Sequence, residues 1–163
     1  MEQTIAAVAT PNAEGGLSVI RISGENAVEI ADRVFKPSFR RSLSELSGYT
    51  AAYGKVVCGG EEIDEAVATV FLAPRSYTGE NVVEISCHGG IYITRRVLRA
   101  VISAGARAAD AGEFTKRAVL NGRLTLTQAE AVIDLINAKS KSSARAAKNA
   151  LDGALYKKIS AVI

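Results

Sequence analysis

The sequence predicts an α+β chain: a mixed β-sheet with flanking helices over residues 1–120, then helical sequence alone over 121–163. Three observations carry this. Leu17–Ser23 and Asn81–Cys87 alternate with the two-residue period of a strand. Between such runs lie stripes at helical spacing, Ala27, Ile30, Ala31 and Val34 in one and Ile91, Val97, Leu98, Val101 and Ile102 in the other. From Thr127 onward the β-type runs stop and only helical periodicity is left.

Taken in order, Thr4–Thr10 is a short β-type run stopped by Pro11, and PNAEGG at 11–16 is a turn. In the strand Leu17–Ser23, Leu17, Val19 and Arg21 share one face, and Ser18, Ile20 and Ile22 the other. Arg21 is therefore a cation within an apolar strand. Either its stem lies along the sheet while its head reaches water, or it presents a fixed charge to an anionic ligand. Ser23-Gly24 opens a helix to about Phe35. Lys36–Gly48, with Pro37, Arg40 and Arg41 among serines, is expected to be a loop with solvated charges. Tyr49–Cys58 and Glu62–Ala73 flank Gly59-Gly60 as a hairpin, ended by Pro74.

The stretch Ser76–Gly90, SYTGENVVEISCHGG, is central. Its strand points Val83, Ile85 and Cys87 one way and Val82, Glu84 and Ser86 the other. A carboxylate in mid-strand is costly to bury unless something hydrogen-bonds it. His88-Gly89-Gly90 then leads into a helix ending near Gly105. Strand, glycine turn and helix N-terminus form a common ligand-binding geometry, and equally an ordinary core strand and turn. His88 reads as a turn residue whose ring caps a backbone group. Neighbours in a strand face opposite ways, so Cys87 and His88 are not expected to form a catalytic dyad.

A short strand at Ala106–Ala109 and a helix at Asp110–Asn121, ended by Asn121-Gly122, complete the first part. Thr127 and Glu130 have capping-box spacing, with Val132, Leu135 and Ile136 continuing the stripe. Ser140–Ser143 interrupts it. Ala144, Ala147, Leu151, Leu155, Ile159 and Val162 are expected to carry a helix to the end, where it stops in mid-period. The chain is therefore expected to be a fragment whose packing partners lie further on.

The 163 residues, 48% apolar, suffice for one domain and part of another. No apolar run is long enough for a bilayer, and the start has no basic region of the signal-peptide kind. Two cysteines, Cys58 and Cys87, and one histidine make a disulfide framework or a structural zinc site improbable and point to a reducing, cytoplasmic setting. The net charge of +3 is uneven: Arg123–Ile163 holds seven Lys/Arg against three Asp/Glu, so the part before it is nearly neutral and lacks the basic field of a nucleic-acid binder. No G-x-x-x-x-G-K-[ST] loop and no G-x-S-x-G elbow occurs, so the chain alone is not expected to hydrolyse GTP.

Several motifs then fall in a telling order: Thr10-Pro11, Gly15-Gly16, RISG at 21–24, the central stretch, GEFTKRA at 112–118 and LNGRLTLTQAEAVIDLI at 120–136. Over essentially its whole length the sequence resembles the N-terminal part of the MnmE (TrmE) family of tRNA-modification GTPases. The resemblance implies an N-terminal domain like the tetrahydrofolate-binding domain of aminomethyltransferases, over residues 1–120, which binds a one-carbon tetrahydrofolate (5-formyl or 5,10-methylene) and forms a homodimer. It implies that 121–163 begins a helical domain into which a GTPase domain is inserted. GTP, potassium and magnesium would belong to the full-length protein, as would tRNA and an FAD-dependent partner, GidA/MnmG, with which the one-carbon unit reaches the wobble uridine.

The family's folate-contacting positions fall on Arg21, Glu84 and Arg123. The last is usually Lys, so the cation is kept with a different geometry. Asn12-Ala13 stands for a usual Pro-Gly, Ala111 for Pro and Thr125 for Asp; none of these removes a proposed contact. A pterin offers an amine and a ring N–H side by side, which a carboxylate such as Glu84 can accept together. Arg21 and Arg123 are cations for the folate carboxylates or polar ring atoms. Two other readings stand beside this one: a free-standing aminomethyltransferase-like enzyme, and a purely structural dimerisation domain.

Overall fold

A computed structural model of the chain describes residues 3–39 and 42–153. It holds β1 (Ile5–Val8), β2 (Leu17–Ser23), α1 (Ala27–Val34), β3 (Phe35–Pro37), β4 (Thr50–Cys58), β5 (Glu61–Phe71), β6 (Val82–His88), α2 (Ile91–Ser103), β7 (Arg107–Ala108), α3 (Glu113–Leu120), α4 (Leu126–Ile136) and α5 (Lys141–Leu151). The chain divides into two compact units, one through Phe114 and one from Thr115.

In the first unit the strands form one sheet, in the order β3-β4-β5-β6-β2-β1-β7. Only β1 and β7 pair in parallel; every other pair is antiparallel, so the sheet is mixed, as the sequence predicts. Strand parity decides what is buried along most of β2 and β6, except at the Ser23–Val82 pair, where both residues are buried on the other parity. On β2, Ser18, Ile20 and Ile22 lie opposite Cys87, Ile85 and Val83 of β6, and all six are buried. Ala68 and Val70 of β5 extend this face. Ala27, Ile30, Ala31 and Val34 of α1 and Val97, Ala100 and Val101 of α2 pack in the same cluster. Side chains of the other parity, Leu17, Val19 and Arg21 on β2 and Glu84 and Ser86 on β6, stand on the opposite face, and none of the five is fully buried.

The hairpin turns at Gly59-Gly60, whose φ values of 59° and 84° suit a tight β-turn of the primed type. Gly105, at φ 121°, follows the last turn of α2. The expected loop at Lys36–Gly48 is not all loop. It contains β3, paired as Phe35↔Val56, Lys36↔Lys55 and Pro37↔Gly54, and a 3-10 turn at Leu43–Glu45. The Asp32 carboxylate on α1 closes that turn by accepting the Leu43 and Ser44 backbone N–H groups. A three-residue strand with one Pro carries no periodic signal. The clue sits on its partner, because Gly54 interrupts an otherwise good strand. A Cβ there would lie 2.3 Å from the Lys36 carbonyl oxygen, so only glycine lets β3 close on β4.

In the second unit the helix starts are set by side-chain caps. The capping box of α4 is Thr125 with Gln128, not Thr127 with Glu130. Two Thr-x-x-Glu/Gln patterns overlap here, and the helix takes the one that admits Leu126 as its first residue. Ser140 and Ser143 form the box of α5, so the serine run is a true interruption. The Gln128 side-chain amide also donates to the Leu151 carbonyl (2.7 Å), joining the start of α4 to the end of α5. α5 ends at Leu151, with Gly153 at φ 69°. Leu155, Ile159 and Val162 lie outside the described residues. Among the described residues no helix is long and apolar enough to cross a membrane.

Gly54→Ala is expected to lower stability by about 1–3 kcal/mol through overpacking against β3, read as a lower urea midpoint. An unchanged midpoint would mean that β3 does not close on β4 in solution.

Candidate functional site

β2 and β6 are adjacent and antiparallel, and their register sets Arg21 opposite Glu84 on the face of the sheet away from the core. The two side chains meet there. Arg21 Nε donates to Glu84 Oε1 at 2.7 Å, and Arg21 Nη2 lies 2.7 Å from the same oxygen. Each side chain is 26% exposed, so both charges are largely desolvated and satisfy each other. Glu84 Oε2 and Arg21 Nη1 make no hydrogen bond among the described residues. The pair thus keeps one open acceptor and one open donor side by side. Two aromatic rings complete the surroundings: the guanidinium carbon lies 5.2 Å from the Tyr77 ring centre and 5.6 Å from that of Phe114.

The loop that brings Tyr77 here is tied at several points. Asn81 accepts the Ala73 N–H through Oδ1 (3.0 Å) and donates through Nδ2 to the Glu25 carbonyl (3.2 Å). Ser23, at the end of β2, donates to Glu80 Oε2 (2.6 Å) and shares a bond with the Thr78 hydroxyl (2.7 Å). The Ala73-Pro74 peptide bond is cis. Phe114 comes from the first turn of α3, where Glu113 accepts the Asp110 N–H and pairs with Arg107.

At the far end of β6 the glycine turn interlocks with the 11–16 turn. Gly15 N–H donates to the Gly89 carbonyl (3.2 Å), and a Cβ on Gly89 would sit 2.5 Å from the Gly15 carbonyl oxygen. His88 departs from the sequence expectation. It ends β6, and its ring Nδ1 pairs with the Asp64 carboxylate (2.7 Å) instead of capping a backbone group. Asp64 Oδ2 also accepts the His88 backbone N–H (2.8 Å), so one carboxylate holds both ends of the residue. Cys87 points into the core, where burial first and the Asp64 charge second push its thiol up to about 11. The absence of a Cys87–His88 dyad follows from strand parity, as expected. Among the described residues no three His, Cys, Asp or Glu side chains gather as a metal site.

Of the three residues singled out in the sequence, Arg21 and Glu84 lie in the first unit and meet as an ion pair. Arg123 belongs to the second unit. It follows α3 in an exposed turn, its N–H bonded to the Ala118 carbonyl (2.8 Å). Sequence reasoning missed Tyr77, Phe114 and Asp64 as neighbours of these groups. Tyr77 is a loop residue and Phe114 opens a short helix, so neither falls on a periodic face that would point to Arg21.

Comparison with known proteins agrees with the motifs. Residues 4–123 match the family model described as "GTP-binding protein TrmE N-terminus". The chain belongs to the TrmE N-terminal family. It is 50% identical over 164 residues to the tRNA modification GTPase MnmE of Carboxydothermus hydrogenoformans, covering 99% of this chain and 36% of that protein. It is 53% identical over 159 residues to the protein of the same name from Symbiobacterium thermophilum (97% and 35%) and 51% identical over 158 to that from Lactiplantibacillus plantarum (96% and 34%). The chain therefore spans about a third of the length of these curated relatives. Arg21, Glu84, Tyr77 and Phe114 all fall within the part matched to the TrmE N-terminal model.

Thiol chemistry offers a check on the core face of β6. With its thiol near 11, Cys87 is roughly one part in a thousand thiolate near pH 8, against about a quarter for an ordinary cysteine. Iodoacetamide is expected to label exposed Cys58 and leave Cys87 unmodified in the folded chain, with both labelled in urea. Equal labelling rates by mass spectrometry, with the chain folded, would contradict the burial.

Proposed function

We propose that this chain is the folate-binding and dimerising module of a tRNA wobble-uridine-modifying GTPase. Residues 1–120 would be the tetrahydrofolate-binding and dimerisation domain and 121–163 the start of a helical domain. The observation that supports this best is the half-buried Arg21–Glu84 pair, with its open acceptor and donor, beside Tyr77 and Phe114. The edge of a pterin carries an amine and a ring N–H, both donors, and its flat rings suit an aromatic border. Glu84 is the carboxylate to receive those donors. Its Oε1 is already shared with Arg21, so Oε2 is the oxygen first available, and both oxygens serve a ligand only if the guanidinium turns aside. Arg21 and Arg123 are the cations for the carboxylates of a folate tail or for its polar ring atoms.

The ligand would be 5-formyl- or 5,10-methylene-tetrahydrofolate, a carrier whose chemistry is to deliver a one-carbon unit. The residues of this chain would bind and orient it. GTP hydrolysis with potassium and magnesium, tRNA, and the FAD-dependent GidA/MnmG partner would be functions of a full-length protein in the cytoplasm. Two alternatives are separable by experiment. A free-standing aminomethyltransferase-like enzyme would transfer the one-carbon unit without a GTPase domain. A purely structural dimerisation domain would not bind folate at all.

Calorimetry with 5-formyltetrahydrofolate tests the proposal. Glu84→Gln keeps the shape and replaces one acceptor oxygen by a donor; with charge-assisted bonds of roughly 1.5–3 kcal/mol each, affinity is expected to fall on the order of ten- to a hundredfold. Arg21→Ala and Arg123→Ala are expected to weaken binding too, and Arg123→Lys to come close to wild type. Equal affinities for the wild type and Glu84→Gln, both folded by circular dichroism, would remove Glu84 from the site.

A homodimer in solution is the second expectation. The face of the sheet away from the core carries Leu17, Val67 and Tyr53 exposed to solvent, an apolar surface that association would cover. Light scattering at tens of micromolar should give twice the chain mass; a monomeric mass would count against it.

A further inference from the structure

We infer that Tyr77 and Phe114 are positioning residues of this site, which hold the Arg21 guanidinium against one oxygen of Glu84 and so fix the edge that a ligand meets. The inference deepens the folate-binding proposal and rests on it for the ligand, a flat heterocycle presenting an amine and a ring N–H.

Four observations carry it. First, the ion pair has an unusual form. A guanidinium facing a carboxylate commonly sets two N–H groups on two oxygens. Here Nε and Nη2 both converge on Oε1, which leaves Oε2 and Nη1 open. Second, arginine is a long side chain with much rotamer freedom, and nothing in the pair itself selects this form over the two-oxygen one. Third, both rings lie within the range of about 6 Å at which a ring attracts a cation. They restrict the guanidinium without occupying any N–H, so the open donor stays open. Fourth, each ring is itself anchored. Tyr77 sits between Ser76 and Thr78 in a loop tied to Ser23 and Glu25 through Thr78, Glu80 and Asn81. Phe114 follows Glu113, which is bonded to Arg107 and to the Asp110 N–H.

Two readouts on the 163-residue chain test this. The first needs no ligand: the solvent exchange of the Arg21 Nε–H, followed by proton–nitrogen NMR. Tyr77→Leu and Phe114→Leu are expected to speed exchange roughly three- to tenfold, in keeping with the strength of a partly buried cation–ring contact. Tyr77→Phe, which keeps the ring, is expected to hold the wild-type rate. Unchanged exchange in both leucine variants, with folded spectra, would overturn the inference.

The second readout is a double-mutant cycle in affinity for 5-formyltetrahydrofolate. Each leucine variant is expected to bind roughly three- to tenfold more weakly in the Arg21 background. In the Arg21→Ala background the same substitutions are expected to change nothing, because the rings act through Arg21. Equal losses in both backgrounds would mean that the rings touch the ligand directly or only support the fold, and would overturn the positioning role. If the wild type does not bind this folate, the folate-binding proposal fails, and the exchange measurement alone decides whether the rings position Arg21.

Discussion

The register between β2 and β6 is the constraint on which the rest depends. Ile20 opposite Ile85 and Ile22 opposite Val83 place four fully buried side chains on the core face. The same register sets Arg21 opposite Glu84 on the other face. A slip of one residue in either strand would turn that strand's charge into the core and its apolar side chains toward solvent. The hydrophobic effect therefore enforces the ion pair: the strands cannot bury their apolar set without juxtaposing the cation and the carboxylate. Neither charge needs the other to choose its partner.

Both helices of the first unit that follow strands of this pair, α1 after β2 and α2 after β6, pack on the core face. That leaves the face bearing the ion pair without a helical cover within the unit's core. Its furnishing comes from loops and from the first turn of α3 instead. Hydrogen bonds from Ser23, Thr78, Glu80, Asn81, Arg107, Asp110 and Glu113 hold the Tyr77 loop and the start of α3, elements that have no periodic reason to be there. Sheet and helices supply a rigid floor, and polar side-chain bonds shape what stands on it.

This division explains what could be read in advance. The limits of β2, the buried stripe of α1 and the glycine turn of the hairpin are written in periodicity or in turn chemistry, and they were legible. β3 was not, because three residues make no period and its evidence is a single glycine on the neighbouring strand. The start of α4 was misplaced because two capping patterns, Thr125–Gln128 and Thr127–Glu130, overlap within six residues. Arg21 and Glu84 were visible as charges in apolar strands, but their pairing was not: it needs the register of two strands 63 residues apart. Arg123 came only from family resemblance, and no physical feature of its turn marks it. His88 was placed at a turn, yet its ring partner, Asp64, lies on another strand and left no local trace.

The ion pair also bears on how a binding site can wait for a ligand without destabilising the fold. An isolated carboxylate at this depth would carry a desolvation penalty, and an isolated guanidinium likewise. Paired, they offset each other's desolvation, and pairing through a single oxygen leaves one acceptor and one donor open. Under the proposed function, a ligand that takes only Oε2 adds a bond and breaks none. One that takes both oxygens must exchange its own N–H for an N–H of Arg21, so the net gain is the difference between two charge-assisted bonds and not the full strength of one. The first mode gains more per contact, and the second discriminates better against heterocycles that carry a single donor. Under the proposed function, affinity would come from Oε2 and selectivity from Oε1, with the turning of one guanidinium setting the balance between them.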